Sequence, residues 1–400
     1  MREMFDTLWS AIADVGRSTA TGGYRRYALT EEDQLLRGWF AGEAAARGLT
    51  LTEDRMGNQW GWWGDPDERP GVVTGSHLDS VPDGGAFDGP LGVISAFAAL
   101  DRLRDQGLRP NRPIGVVNFA DEEGARFGVA CAGSRMITGA LTPDRALSLV
   151  DRDGLTMAEA LRSAGRRPDT IGRDPEALRR IGSFVELHIE QGRGLVDLAQ
   201  PVAIGTDIWP HGRWRLDFAG VANHAGTTAM AVRHDAMIPL AETVLAARRA
   251  ALAEGCLATV GRTEVRPGGV NAVPSFATGW LDARGPDEDA VRRTVAAITA
   301  VTDAAGGGEI REESWTPLTR FDPDLITRVS AVLPGAPRLA TGAGHDAGIL
   351  ASAGIPAVMI FVRNPTGVSH SPAEHADRND CLAGVEALAE VLAELAGDGG

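Results

Sequence analysis

Apolar and polar positions along the chain follow two different periods. Val72–Thr74 is a short apolar run that ends at GSHLD, residues 75–79, and reads as a strand. Leu91, Ile94, Phe97, Leu100 and Leu103 then recur at helical spacing, with Pro90 in the first turn where proline is tolerated. Ile114–Phe119 is the next apolar strand and ends at ADEEG; Phe184–Ile189 is a third and ends at HIEQG. Strand, crossover helix and strand predict a βαβ unit in a parallel sheet. The polar clusters then fall at the carboxyl ends of the strands, where open α/β sheets place their ligands.

Near Gly205 the pattern changes. RWRLDFAG (213–220) and ATGWLDARG (277–285) alternate with a period of two and predict antiparallel strands, and helices are expected over Met237–Ala251 and Asp287–Ala305. From Pro317 the first pattern resumes, with a strand at Ala357–Val362 and a closing helix at Cys381–Leu395. The expected organisation is a discontinuous α/β domain, 1–205 with 317–400, interrupted by an α+β domain at 206–316. Trp60, Trp62 and Trp63 are expected to cover a surface edge, or else to rim an entrance, and the GDGG tail (397–400) to fray.

Four hundred residues exceed what one core usually serves, which agrees with two domains. The net charge of −15, with no cluster of Arg, argues against nucleic acid or an anionic membrane as partner. LGVISAFAAL (91–100) and GIPAVMIFV (354–362) are too short to span a bilayer, and MREMFDTLWSAIADVG reads as an amphipathic helix instead of a signal peptide. A cytoplasmic protein is expected. Cys131, Cys256 and Cys381 form no CxxC pair, so neither a disulfide framework nor a cysteine zinc site is indicated. All 39 basic residues are Arg. Without lysine there is no P-loop, Schiff-base aldolase or pyridoxal-phosphate chemistry, and no GxSxG elbow is present.

The stretch GSHLDSVPDGGAFDGPLG (75–92) places one His and three Asp in a glycine-rich loop. Such groups repel or desolvate one another unless a cation sits among them. His77, Asp79, Asp88, Asp121, Glu122, Glu123, His188 and His370 together offer the carboxylate oxygens and imidazole nitrogens that zinc and similar cations take. Any one of them alone reads more readily as a satisfied polar residue at a strand end. Glu122 and Glu123 are adjacent, and alternation at a strand end would turn one to a metal and the other to the water on it. Asp88, beside Gly89, suits a carboxylate bridging two metals. The chemistry points to a two-metal hydrolase without naming a substrate.

The segments GSHLDSVPDGGAFDGPLGV, ADEEGARFGVACAGSRMITG, ELHIEQGRGL, GVANHAGTTAM, TGAGHDAG and GVSHSPAEH also occur in a telling order. Over almost the full chain, from near Gly22 to His375, they resemble the dinuclear-metal amidohydrolase and peptidase family. The resemblance is to the branch of N-carbamoyl-L-amino-acid hydrolases, β-ureidopropionases and allantoate amidohydrolases. It implies that His77, Asp88 and His188 hold one metal, and that Asp88, Glu123 and His370 hold the other. Glu122 would be the general base and Asp79 the acid that orients His77, with a cis peptide at Asp88–Gly89. It further implies that His224 polarises the scissile carbonyl from the partner subunit of a homodimer. Asn271 and Arg284 would grip the substrate carboxylate, and Gln191 would meet the ureido group. The implied fold is a zinc-peptidase-like catalytic domain of mixed, largely parallel sheet with an inserted dimerisation and lid domain. Two divalent metals per subunit are implied, with zinc best suited and manganese, cobalt or nickel also accommodated by such donors.

IWPHGRW (208–214) departs from the branch's usual small, glycine-containing run, and TTAM carries Ala229 where Pro is common in the branch. These changes either repack a hinge or reshape the pocket. Substrate readings therefore stay open between N-carbamoyl-L-amino acids and allantoate or another ureide. A dipeptidase is disfavoured by His188 with EQG, and a non-catalytic homologue by the intact ligand set.

Overall fold

The computed structural model describes residues 2–397. The last three residues of the GDGG tail lie outside the described residues. The chain divides into two compact units, Met1–Thr206 with Arg320–Gly400, and Asp207–Thr319.

The first unit is built on a mixed sheet. Its strands run in the order Thr50–Glu53, Gln59–Trp63, Ile114–Phe119, Gly71–His77, Ile181–Ile189, Ala357–Val362 and Val202–Ile208. The central pairs are parallel and the flanking ones antiparallel. Every residue of Gly71–His77 and of Ile114–Phe119 is buried, as strands covered on both faces require. The register aligning Thr74 with Val185 carries His77 and His188 to one height, and their ring centroids lie 6.0 Å apart. Parallel pairing in this register thus delivers two imidazoles side by side.

The Pro90–Asp105 helix follows the histidine loop and is buried nearly all round, including Leu91, Ile94, Phe97, Leu100 and Leu103. Each such side chain contributes about 1.5–3 kcal/mol of burial. Gly89 caps the helix at φ +84°, and a Cβ there would come within 2.4 Å of the His77 ring. Here one expectation fails: among the described residues the only cis peptide is Arg266–Pro267, so Asp88–Gly89 is trans. The turn is made instead by the left-handed backbone that glycine permits.

The tryptophans correct a second expectation. Gln59–Trp63 is a strand paired with Ile114–Phe119, and Trp60 and Trp62 are buried, not spread on a surface edge. Trp60 and Trp62 stack with ring centroids 6.2 Å apart, and the Trp60 indole N–H donates to Asp54 at 3.0 Å. That bond explains how the polar edge of the ring is accommodated inside.

The second unit is an antiparallel sheet ordered Glu309–Thr316, His211–Ala219, Phe276–Arg284 and Leu257–Arg266. Helices Met237–Glu254 and Glu288–Ala304 pack on it through Trp214, Leu216, Phe218, Leu240, Leu281, Val291 and Ile298. Trp280, facing away from that core, lies under the guanidinium groups of Arg262 (4.2 Å) and Arg215 (5.5 Å).

Gly92 sets the closest approach of helix to sheet: an added Cβ would lie 2.4 Å from the Leu187 carbonyl oxygen and 2.7 Å from Ser76 Cβ. Gly92→Ala is expected to destabilise the protein by about 1–3 kcal/mol, outweighing the gain of about 1 kcal/mol in helix propensity. A urea titration reads this; an unchanged or raised midpoint would show that this packing is not limiting.

Candidate metal and catalytic site

Asp88 is the geometric centre of the site. Its Oδ1 lies 3.1 Å from His188 Nε2 and 3.7 Å from His77 Nε2, while Oδ2 lies 3.4 Å from His370 Nε2. Glu123 Oε2 is 3.7 Å from that same His370 nitrogen. One carboxylate therefore faces two histidines with one oxygen and a histidine shared with Glu123 by the other. Glu122, although adjacent to Glu123, turns to the first side, with Oε2 3.7 Å from His77 Nε2.

The divergence of the two glutamates does not come from strand alternation, because the strand ends at Phe119. It comes from a turn. Asp121 adopts φ +54°, and the carbonyls of Ala120, Asp121 and Glu122 accept the N–H groups of Gly133, Ala132 and Cys131. Asp79 fixes the other side: its two oxygens accept the backbone N–H of Glu122 at 3.1 Å and of Glu123 at 3.0 Å. Asp79 Oδ1 also lies 3.4 Å from His77 Nδ1, but its own main-chain carbonyl is closer to that nitrogen, at 3.1 Å. One aspartate thus orders a ligand candidate and both acids beside it.

Gln191, at φ +56°, donates from Nε2 to Asp88 Oδ2 at 2.8 Å and to Ser369 Oγ at 3.1 Å. In the second unit, His224 pairs with Ala272 across a two-stranded ribbon, which brings Asn271 beside it; both are exposed. Arg284 directs Nε and Nη2 at the carboxylate of Asp282, 2.8 and 2.6 Å away.

Sequence reasoning assigned no role to three residues that the fold brings here. Glu374 is buried and accepts the N–H groups of Phe87 and Asp88. Cys131 Sγ donates to Glu122 Oε1 at 3.1 Å. Glu186, fully buried behind His188, accepts from Ser76 Oγ and Ala347 N–H. Each stood inside a motif already quoted, but no spacing signals which carboxylate or thiol will point inward.

Electrostatically the site is over-supplied with acid. Burial pushes the Glu122 carboxyl well above its ordinary range, with nearby acids adding to the effect and His77 opposing it. Burial and the Asp88 charge push Glu123 to about 7. Bonding to Asp88 holds His370 up at about 9. For Asp88, burial is outweighed by its three histidine neighbours, which hold it well below the usual carboxylate range.

The donor set fits divalent cations. His77, Asp88 and His188 offer atoms within 4.8 Å of one another, as do Asp88, Glu123 and His370. His188 Nε2, although 3.1 Å from Asp88 Oδ1, lacks hydrogen-bond geometry, and Glu123 Oε1 is buried without a partner; a cation in each grouping would satisfy them. A third grouping, Glu186, His188 and His345, is equally close, but both Glu186 oxygens are already occupied by donors.

Comparison with known proteins follows the same lines. The profile of peptidase family M20/M25/M40 matches residues 73–394. An N-carbamoyl-L-amino acid amidohydrolase from Geobacillus stearothermophilus is 36% identical over 98% of this chain and 98% of its own length. An allantoate amidohydrolase from Escherichia coli K12 is 32% identical over 94% of this chain and 93% of its own. The crystal structure of a hydantoinase/carbamoylase-family amidase from Burkholderia vietnamiensis superposes with a TM-score of 0.88 at 31% identity, covering 99% of this chain and 97% of that one.

Zinc binding is expected to release protons at neutral pH. Glu123, at about 7, and His370, at about 9, must both be deprotonated to act as ligands. Affinity should therefore rise with pH and level off above about 9, by roughly tenfold per unit for each proton displaced. Calorimetry in buffers of differing ionisation enthalpy counts the protons. Zinc uptake indifferent to pH would remove these two residues from the ligand set.

Proposed function

This chain belongs to peptidase family M20/M25/M40 and is a hydrolase of the carbamoyl-amino-acid and allantoate type; from that premise we propose that it cleaves the carbamoyl C–N bond of N-carbamoyl-L-amino acids with two bound divalent metals. The observation that carries the reading is the divided carboxylate of Asp88, with histidines at each oxygen and Glu122 alongside. The substrate is the one named for the Geobacillus relative.

In this reading His77, Asp88 and His188 hold one ion and Asp88, Glu123 and His370 the other. Zinc suits the nitrogen and oxygen donors best. When bound, the ions polarise the scissile carbonyl and acidify the attacking water. Glu122 takes the proton of that water at Oε2 and returns it to the leaving nitrogen. Its raised affinity for protons suits a group that must both accept and give one back. Asp79 holds His77 and the Glu122–Glu123 turn in place. His224 donates to the oxyanion, Asn271 and Arg284 grip the substrate carboxylate, and Gln191 meets the ureido group. Hydrolysis leaves the amino acid and a carbamate that falls apart to carbon dioxide and ammonia.

Residues 206–316 act in this reading as the lid and dimerisation domain of a homodimer. An exposed stripe of Ile238, Leu245 and Leu252 at seven-residue spacing on the Met237–Glu254 helix supports that role. No helix among the described residues is long and apolar enough to cross a membrane. The three cysteines are free and buried, which suits the reducing cytoplasm we assign to the protein.

Zinc-loaded protein is expected to release ammonia from N-carbamoyl-L-amino acids, and Glu122→Gln to lower the rate about 10²–10⁴-fold while zinc stays bound. Ammonia from allantoate alone would keep the chemistry and move the substrate. Full activity in Glu122→Gln would remove Glu122 as the base.

A further inference from the structure

Ser369 Oγ lies between two carboxylates, 2.9 Å from Glu374 Oε2 and 3.3 Å from Asp88 Oδ2. It also accepts the Gln191 amide N–H at 3.1 Å. A hydroxyl has one hydrogen to donate. The shorter contact is the one to Glu374, so the chain of bonds runs from Gln191 to Ser369 to Glu374. Asp88 Oδ2 is left with the Gln191 N–H and the space towards His370.

Glu374 is placed firmly for this. Its Oε1 accepts Phe87 N–H at 3.0 Å and Asp88 N–H at 2.9 Å. Gly85 lies so close that a Cβ there would fall 2.4 Å from both Glu374 Cβ and Oε1. One acid therefore ties the loop carrying Asp88 to the segment carrying Ser369 and His370.

We propose that Glu374 is a positioning residue that draws the Ser369 hydroxyl hydrogen away from Asp88, so that Oδ2 takes no hydrogen bond beyond that of Gln191 and keeps its remaining lone pair for the cation on the His370 side. The inference rests on the two-metal reading above. Glutamine at 374 would still accept both backbone N–H groups through its carbonyl oxygen. Its amide would donate to Ser369 Oγ, however, and turn the hydroxyl hydrogen onto Asp88 Oδ2. That hydrogen bond competes with the cation for the oxygen.

The test is calorimetric zinc titration of the full chain, with His370→Ala identifying which binding step belongs to the His370 side. Glu374→Gln is expected to weaken that step about 10–100-fold, as loss of an outer partner of a metal ligand typically does. The step on the His77 and His188 side, which uses Oδ1, should change by less than about threefold. Removing the hydroxyl as well, in Glu374→Gln with Ser369→Ala, should restore most of the lost affinity, a recovery that a merely structural role of Glu374 would not produce. Melting of the metal-free variants confirms folding. Should Glu374→Gln not fold, Ser369→Ala alone decides: affinity within about threefold of the parent supports the assignment, and any larger loss overturns it. An unchanged Glu374→Gln, or a double variant as weak as the single, overturns it as well. A parent with no zinc step sensitive to His370 overturns the two-metal reading and this inference with it.

Discussion

Asp88 is buried among three imidazoles and two further acids, and much of the first unit follows from making that tolerable. A carboxylate taken out of water costs several kcal/mol unless charge and hydrogen bonds replace the solvent. Here the replacement is divided. The Asp88 main-chain N–H goes to Glu374, one oxygen faces His77 and His188, and the other faces Gln191 and His370. The surplus acid of Glu122 and Glu123 is what a cation relieves. Gly85 and Gly89 belong to the same solution, because a side chain at either would strike Glu374 or His77.

The site also shows how neighbouring residues acquire different surroundings. Glu122 and Glu123 are chemically alike and adjacent, yet one faces His77 and the other His370. Asp79 enforces the difference by holding both backbone N–H groups at once. The Cys131 thiol occupies Glu122 Oε1, leaving Oε2 as the oxygen that faces His77. Burial keeps that thiol protonated, so it acts as a donor and not as a nucleophile.

What the sequence discloses here is what repeats or clusters. The apolar runs ending at His77, Phe119 and Ile189 mark parallel strands because burial on both faces leaves no polar alternation, and level strand ends then gather the ligand candidates. Trp60 and Trp62 mislead for the same physical reason: aromatic residues suit a rim or an interior equally, and only the Asp54 acceptor shows which. Glu374 and Glu186 are invisible in advance because their partners are mainly backbone N–H groups and serines, which carry no pattern. At Asp88–Gly89 the peptide is trans, and the chain turns there through a glycine at φ +84°.

Arg284 is held by a carboxylate of its own strand. Its fork meets Asp282 through two bonds, and Arg213 approaches the same aspartate at 3.5 Å. On the proposed reading the substrate carboxylate competes with a carboxylate already in place. Exchanging one bidentate partner for another changes the Coulomb energy little, so charge alone gives weak discrimination. On that reading, selectivity would come from what surrounds the fork. His211 lies directly across the strand pair from Arg284, half-buried, with Trp209 and Pro210 just before it. The unusual IWPHGRW run therefore lies against the Arg284–Asp282 pair.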